Sequence, residues 1–98
     1  MGSYAVVATV EVKPGQRDEV LNAMRGHRDR SLKDEPGTEQ FDLLVPLYDE
    51  NKILIFECYA DKDAFKAHAG GPSMAQVGKE IDGLVESMTV ERCNVDGA

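Results

Sequence analysis

The sequence predicts an α+β domain of order β-α-β-β-α-β, and three observations carry that prediction. Stretches rich in β-branched and aromatic residues alternate with stretches whose apolar residues recur every three or four positions. Pro-Gly and Gly-Gly pairs fall at the joins, and no linker or internal repeat interrupts them. The chain has 98 residues, enough for one small core and no more, so residues 1–98 form a single domain. Right-handed crossovers turn the order into a ferredoxin-like fold: a four-stranded antiparallel sheet with helices on one face.

Residues 4–12 (Tyr4-Ala5-Val6-Val7-Ala8-Thr9-Val10-Glu11-Val12) read as the first strand, with Thr9 and Glu11 opposite Val10 and Val12. Pro14-Gly15 breaks it. Val20, Leu21, Met24, Ser31 and Leu32 then follow helical spacing, giving a helix from about 16 to about 34 that Pro36-Gly37 stops. Residues 39–48 read as the second strand, and Pro46, which cannot donate to a ladder, puts that strand at an edge. Asp49-Glu50-Asn51 turns the chain into the third strand, residues 53–59. Asp61 caps a short helix carrying Ala64, Phe65 and His68, ended by Gly70-Gly71. Met74, Val77, Ile81 and Leu84 mark a further helix weakened by Gly78 and Gly83, and residues 87–95 return as the last strand.

Charge narrows the partners. Lys and Arg number 11 against 18 Asp and Glu, a net charge of -7 that repels nucleic-acid backbones and anionic membranes. No apolar run approaches the roughly 18 residues that span a bilayer. Met1-Gly2-Ser3-Tyr4 leads into the strand pattern without a basic leader, and Val6 stands where N-myristoylation wants Ser or Thr, so a cytoplasmic protein is expected. In the predicted sheet Cys58 and Cys93 lie two strand spacings apart, roughly 9–10 Å, too far for a disulfide. They are expected as reduced thiols.

The third strand shows Ile53, Ile55, Glu57 and Tyr59 on one face and Leu54, Phe56 and Cys58 on the other. A sheet covered on one side only should show a polar second face, so two apolar faces predict a homodimer packed sheet to sheet.

Histidine and carboxylate placement suggests the chemistry. His68 follows Phe65 by three positions and so faces inward, and Glu57 points where Ile53 and Ile55 point. A buried carboxylate has its pKa raised unless paired, and a nearby histidine would supply the pair, so Glu57 and His68 together can move a proton near neutral pH. A satisfied core histidine is the competing reading. His27 continues the stripe of Val20 and Met24 and either lines a pocket or sits in solvent at the helix boundary, the latter slightly favoured. Arg30 and Arg92 are the basic residues nearest the pocket's edges, with solvation their default. Gly70-Gly71-Pro72-Ser73 is not a phosphate loop, and no dinucleotide fingerprint, nucleophile elbow or metal-ligand spacing occurs, so no cofactor and no metal are expected.

The run Glu35-Pro36-Gly37, Phe41-Asp42-Leu43, Phe56-Glu57-x-Tyr59-x-Asp61 and Ala64-Phe65-x-x-His68-x-x-x-Pro72, with Val12-Lys13-Pro14-Gly15, resembles the antibiotic biosynthesis monooxygenase family over nearly the whole chain. The resemblance implies a dimeric ferredoxin-like protein, a dimeric α/β barrel. It also implies a pocket between sheet and helices lined by Ile55, Glu57, Tyr59, Phe65 and His68, with Phe41 and His27 as further substrate contacts. The family includes cofactor-independent oxygenases of quinols and anthrones, and an isomerase of a phosphorylated autoinducer. The oxygenase reading gives His68 as acid/base, Glu57 as its orienting partner and Tyr59 as a positioning hydroxyl. This chain departs from the anthrone oxygenases at Ile55, Tyr59 and Phe65, where they carry asparagine, tryptophan and tyrosine. It has Pro72-Ser73 where many quinol-type members have Pro-His. The expectation is a small-molecule monooxygenase, with an isomerase or a non-catalytic ligand-binding dimer as alternatives.

Overall fold

The computed structural model describes residues 2–98; Met1, the head of the N-terminal stretch read above, lies outside them. Strand β1 (Tyr4–Val12) leads to helix α1 (Arg17–Asp34), then β2 (Thr38–Leu44), β3 (Lys52–Tyr59), α2 (Lys62–Ala69), α3 (Pro72–Glu80) and β4 (Val85–Asn94). The sheet order is β2-β3-β1-β4 with every neighbour antiparallel, the ferredoxin-like arrangement. Among the described residues no helix is long and apolar enough to cross a membrane.

Alternation along β1 sends Val6, Ala8, Val10 and Val12 under the helices and leaves Val7 and Glu11 exposed on the open face. Opposite them on β3, Ile53 pairs with Val10 and Ile55 with Ala8, so their side chains join the same layer. Val20, Leu21 and Met24 of α1 and Val77 of α3 close it from above. A second, smaller cluster of Tyr4, Val6 and Tyr59 lies beneath Ala64 and Phe65 of α2. The Pro14-Gly15 turn into α1 works because Gly15 takes φ 81°, a conformation costly for other residues. At the far end of α1, a Cβ on Gly37 would collide with Ala64, so the glycine lets the turn into β2 press against α2.

Several boundaries differ from the sequence reading, among them the end of α3, which stops at Glu80 short of Ile81 and Leu84. Strand β2 ends at Leu44, and Pro46 lies beyond it. The chain leaves the ladder before the residue that could not donate to it, and β2 is the edge strand all the same. Strand β4 begins two residues early, at Val85, where a register shift against Val12 absorbs the irregularity. Cys58 and Cys93 both pair with Ala5, from opposite sides of β1, and both are free.

The open face carries Val7, Leu54, Phe56 and Leu44, with Val7 41% and Leu44 48% exposed. Strand β4 is exposed along nearly its whole length, including Met88 and Val90, which point to the helix side with Val10 and Ala8.

Candidate functional site

A cavity of about 220 Å³ opens between the sheet and the three helices. Its floor is Val6 and Ala8 of β1 with Ile55 and Glu57 of β3, and Met88 and Val90 of β4 form one side. Met24 and His27 of α1, Phe41 of β2 and Phe65 of α2 add walls, while Met74, Val77, Gly78 and Ile81 supply the roof from α3 and the turn after it. Met24, Met74 and Met88 are all in this lining; thioether side chains adapt to differently shaped apolar guests. Among the described residues, the only titratable side chains on the wall are Glu57 and His27.

Glu57 is 7% exposed, and burial pushes its carboxyl above the ordinary carboxylate range, against the Tyr59 hydrogen bond, which pulls it down. Tyr59, two residues along on the same face of β3, donates its hydroxyl to Glu57 Oε1. Burial, with the adjacent carboxylate, pushes the Tyr59 phenol far up, so it stays protonated as a fixed donor.

His27 is 3% exposed, with Nδ1 2.8 Å from Ser73 Oγ. Arg30 Nε donates to the same oxygen at 2.9 Å. Burial first, helped by the charge of Arg30, brings His27 down to about 4, so it is a neutral imidazole at pH 7. The reading of His27 as a solvated boundary residue is therefore corrected: Ser73, at the start of α3, supplies a hydrogen bond that makes its burial tolerable. Arg92, exposed on β4, holds its guanidinium over the Phe65 ring at 5.7 Å from the centroid.

Two sequence assignments move. His68 and Tyr59, expected on the pocket wall, lie behind it, at 1% and 0% exposure. The orienting partner of His68 is not Glu57 but Glu35, whose Oε1 lies 2.7 Å from Nδ1. Nε2 of His68 faces Glu57 Oε1 at 3.6 Å, too long for a hydrogen bond, and has no other partner among the described residues. The reason is packing: the end of α2 sits over Tyr59, with ring centroids 5.3 Å apart, and the α1–β2 turn delivers Glu35 to its outer side. Ile55, Glu57, Phe65, His27 and Phe41 do line the cavity as expected. Glu35 is the residue that sequence reasoning missed as a site group; it appeared only in the Glu35-Pro36-Gly37 run of the family resemblance.

Among the described residues no group of three or more His, Cys, Asp and Glu side chains is placed to hold a metal ion. The sequence profile described as antibiotic biosynthesis monooxygenase matches residues 3–80. The chain belongs to the antibiotic biosynthesis monooxygenase family. No curated protein matches it. Among solved structures it is similar to a Caulobacter crescentus protein named as a candidate member, with TM-score 0.89 and 24% identity over 96% of this chain and 90% of that one. A Nitrosomonas europaea protein of like designation gives TM-score 0.85 and 20% identity, covering 92% and 95%. A Pseudomonas aeruginosa protein gives 0.86 and 18%, covering 97% and 95%. At these identities the likeness is one of fold.

Two expectations follow from the family cavity as this chain builds it. A Cβ on Gly78 meets nothing within 4 Å. Gly78→Leu should therefore fold, fill part of the roof and raise KM for any cavity substrate; Gly78→Ala should add about 0.5–1 kcal/mol of helix stability, read from urea midpoints. The buried neutral His27 makes stability pH-dependent. Between its ordinary 6.5 and about 4 the unfolded chain takes up a proton that the folded chain resists, so stability is lost as pH falls through that window. The loss is on the order of 3 kcal/mol, and His27→Gln should remove that part of the slope in urea titrations at pH 7 and pH 4.5.

Proposed function

We propose that this protein is a cofactor-independent monooxygenase acting on a small, apolar quinol-like or polyphenolic substrate, with Glu57 as the base that touches it. The observation that supports this most is a single buried carboxylate, set in a wall that is apolar but for it and His27, held by Tyr59 and raised in basicity by burial. Glu57 takes a proton from the acidic O–H or C–H of the substrate. The resulting delocalised anion passes an electron to dioxygen, and the two radicals join at carbon as a peroxide. Loss of the second hydrogen from that carbon with O–O cleavage leaves a carbonyl and water. The substrate thus loses two hydrogens and gains one oxygen, and its four electrons reduce both oxygen atoms, so no outside reductant enters. His27, neutral at pH 7, hydrogen-bonds the substrate hydroxyl or the peroxide.

A phosphorylated sugar suits this wall poorly, because its lining holds no Lys or Arg to meet the phosphate. For the same reason the isomerase reading ranks below oxygenation. The functional unit is a homodimer in this reading; the exposed apolar centre of the open face, with Val7, Leu44, Leu54 and Phe56, supports it, as does the exposure of β4. Unpaired Cys58 and Cys93 suit a reducing compartment, the cytoplasm.

An oxygen electrode tests the activity: purified protein with chelator should consume oxygen on at least one of a panel of quinols and anthrones. Turnover that persists without oxygen would point to the isomerase, and no turnover to a binding protein. Light scattering after size exclusion should give twice the 10.7 kDa chain mass; a monomer would remove the dimer from the account.

A further inference from the structure

The buried imidazole of His68 stands between two carboxylates that line two separate cavities. Glu57 lines the reaction cavity. Glu35 lines a separate cleft of about 240 Å³, together with Arg30, Asp34, Pro72, Ser73 and Gln76. Glu35 Oε1 already accepts the hydroxyl of Thr38 at 2.8 Å, so the 2.7 Å contact from His68 Nδ1 is an N–H donated to a carboxylate. In the neutral ring this leaves Nε2 bare, buried and turned toward Glu57. Every titratable group packed against His68 belongs to this assembly or borders it. Strand β3 presents Glu57 and Tyr59, and α1 presents His27, its ring centroid 5.0 Å away, and Glu35 at its C-terminal cap, while Arg30 lies beyond Ser73.

We propose that Glu57, His68 and Glu35 form a proton path joining the reaction cavity to the second cleft, so that the base exchanges protons with solvent while substrate fills the cavity. The proposal rests on the reading of Glu57 as the base. A proton taken by Glu57 passes to His68 Nε2 once the carboxyl swings roughly half an ångström closer, giving an imidazolium between two carboxylates. The Nδ1 proton passes to Glu35 and then to water in the cleft, leaving the ring protonated on Nε2. When the peroxide breaks down the path runs backward: Glu35 returns a proton to Nδ1, and Nε2 releases its own through Glu57 to the departing hydroxide. Each cycle restores the starting tautomer and leaves no net proton behind. Glu35 is in this sense a positioning and relay residue, touching neither substrate nor oxygen.

Nitrogen-15 NMR of the substrate-free protein reads the first half of the path directly. Neutral His68 should carry its proton on Nδ1, and Glu35→Ala, which removes the acceptor, should lose that preference. Oxygen uptake reads the second half. Glu35→Ala should lose about 10–100-fold in rate, the range seen when a histidine's orienting partner is removed at metal sites. Glu35→Asp should keep most of it, and formate, a small carboxylate able to enter the cleft, should restore part of the Glu35→Ala loss. A proton on Nε2 in the wild-type resting state, or a Glu35→Ala loss that formate leaves untouched, would overturn the path. Wild-type protein that consumes no oxygen would instead sink the oxygenase reading, and the NMR result would still decide the tautomer on which the path depends.

Discussion

Glu57→Gln is expected to cut oxygen-dependent turnover by about 10²–10⁴-fold, the usual contribution of a positioned general base. The amide keeps the shape of the side chain and an oxygen that still accepts the Tyr59 hydroxyl, so the wall survives and only basicity goes. The same substitution should raise thermal stability at pH 8. Burial places the folded-state pKa of Glu57 above its ordinary 4.5, so the folded chain holds the proton more tightly than the unfolded one. Wild-type stability therefore falls as pH rises through the folded pKa, because a buried carboxylate must ionise. Gln does not titrate and escapes that cost, so the variant should gain on the wild type at pH 8 and lose the advantage near pH 4. A loss of activity accompanied by lower stability at both pH values would mean that Glu57 is a structural group instead.

Ile53→Ala is expected to have the largest effect on folding. Ile53 is fully buried at the centre of the sheet, paired with Val10, which is also 0% exposed. Truncation removes apolar surface and leaves a hole in the close-packed cluster that Ile53 shares with Val10, Val12 and Val20, a combination that costs about 2–5 kcal/mol. For a domain of this size that is a fall in Tm of roughly 10–30 °C. Because Ile53 lies outside the cavity lining, the fraction that remains folded should keep its KM, which separates this variant from Gly78→Leu. Calorimetry with parallel urea titrations checks it; a change below about 1 kcal/mol would show that the core relaxes more than close packing allows.

Much of the fold was legible because its signals are local. Two-residue alternation in β1 and β3 assigns both faces of the sheet, and it also places Tyr59 beside Glu57, two positions apart on one strand. Asp61 caps α2 as its residue type suggests, accepting from the Ala64 amide. What sequence did not reveal is which groups stand in front and which behind. Phe65 and His68 share the inward stripe of α2, yet Phe65 reaches the cavity and His68 lies beneath it against Tyr59. That depends on the angle at which a two-turn helix crosses the sheet, which periodicity does not encode. Glu35 is 33 residues from His68, and its only local sign was a carboxylate at a helix end pressed close to α2 by Gly37. His27 was ambiguous because its burial depends on Ser73, 46 residues away, for a hydrogen bond.

The measurement that bears most directly on the central claim is incorporation of ¹⁸O₂ by metal-stripped protein, with the first active quinol or anthrone and the Glu57→Gln variant alongside. One labelled oxygen should appear in the organic product and the other in water, with no change on adding chelator and loss of labelling in the variant. Product that forms without label, or labelling that survives in Glu57→Gln at the wild-type rate, would contradict it.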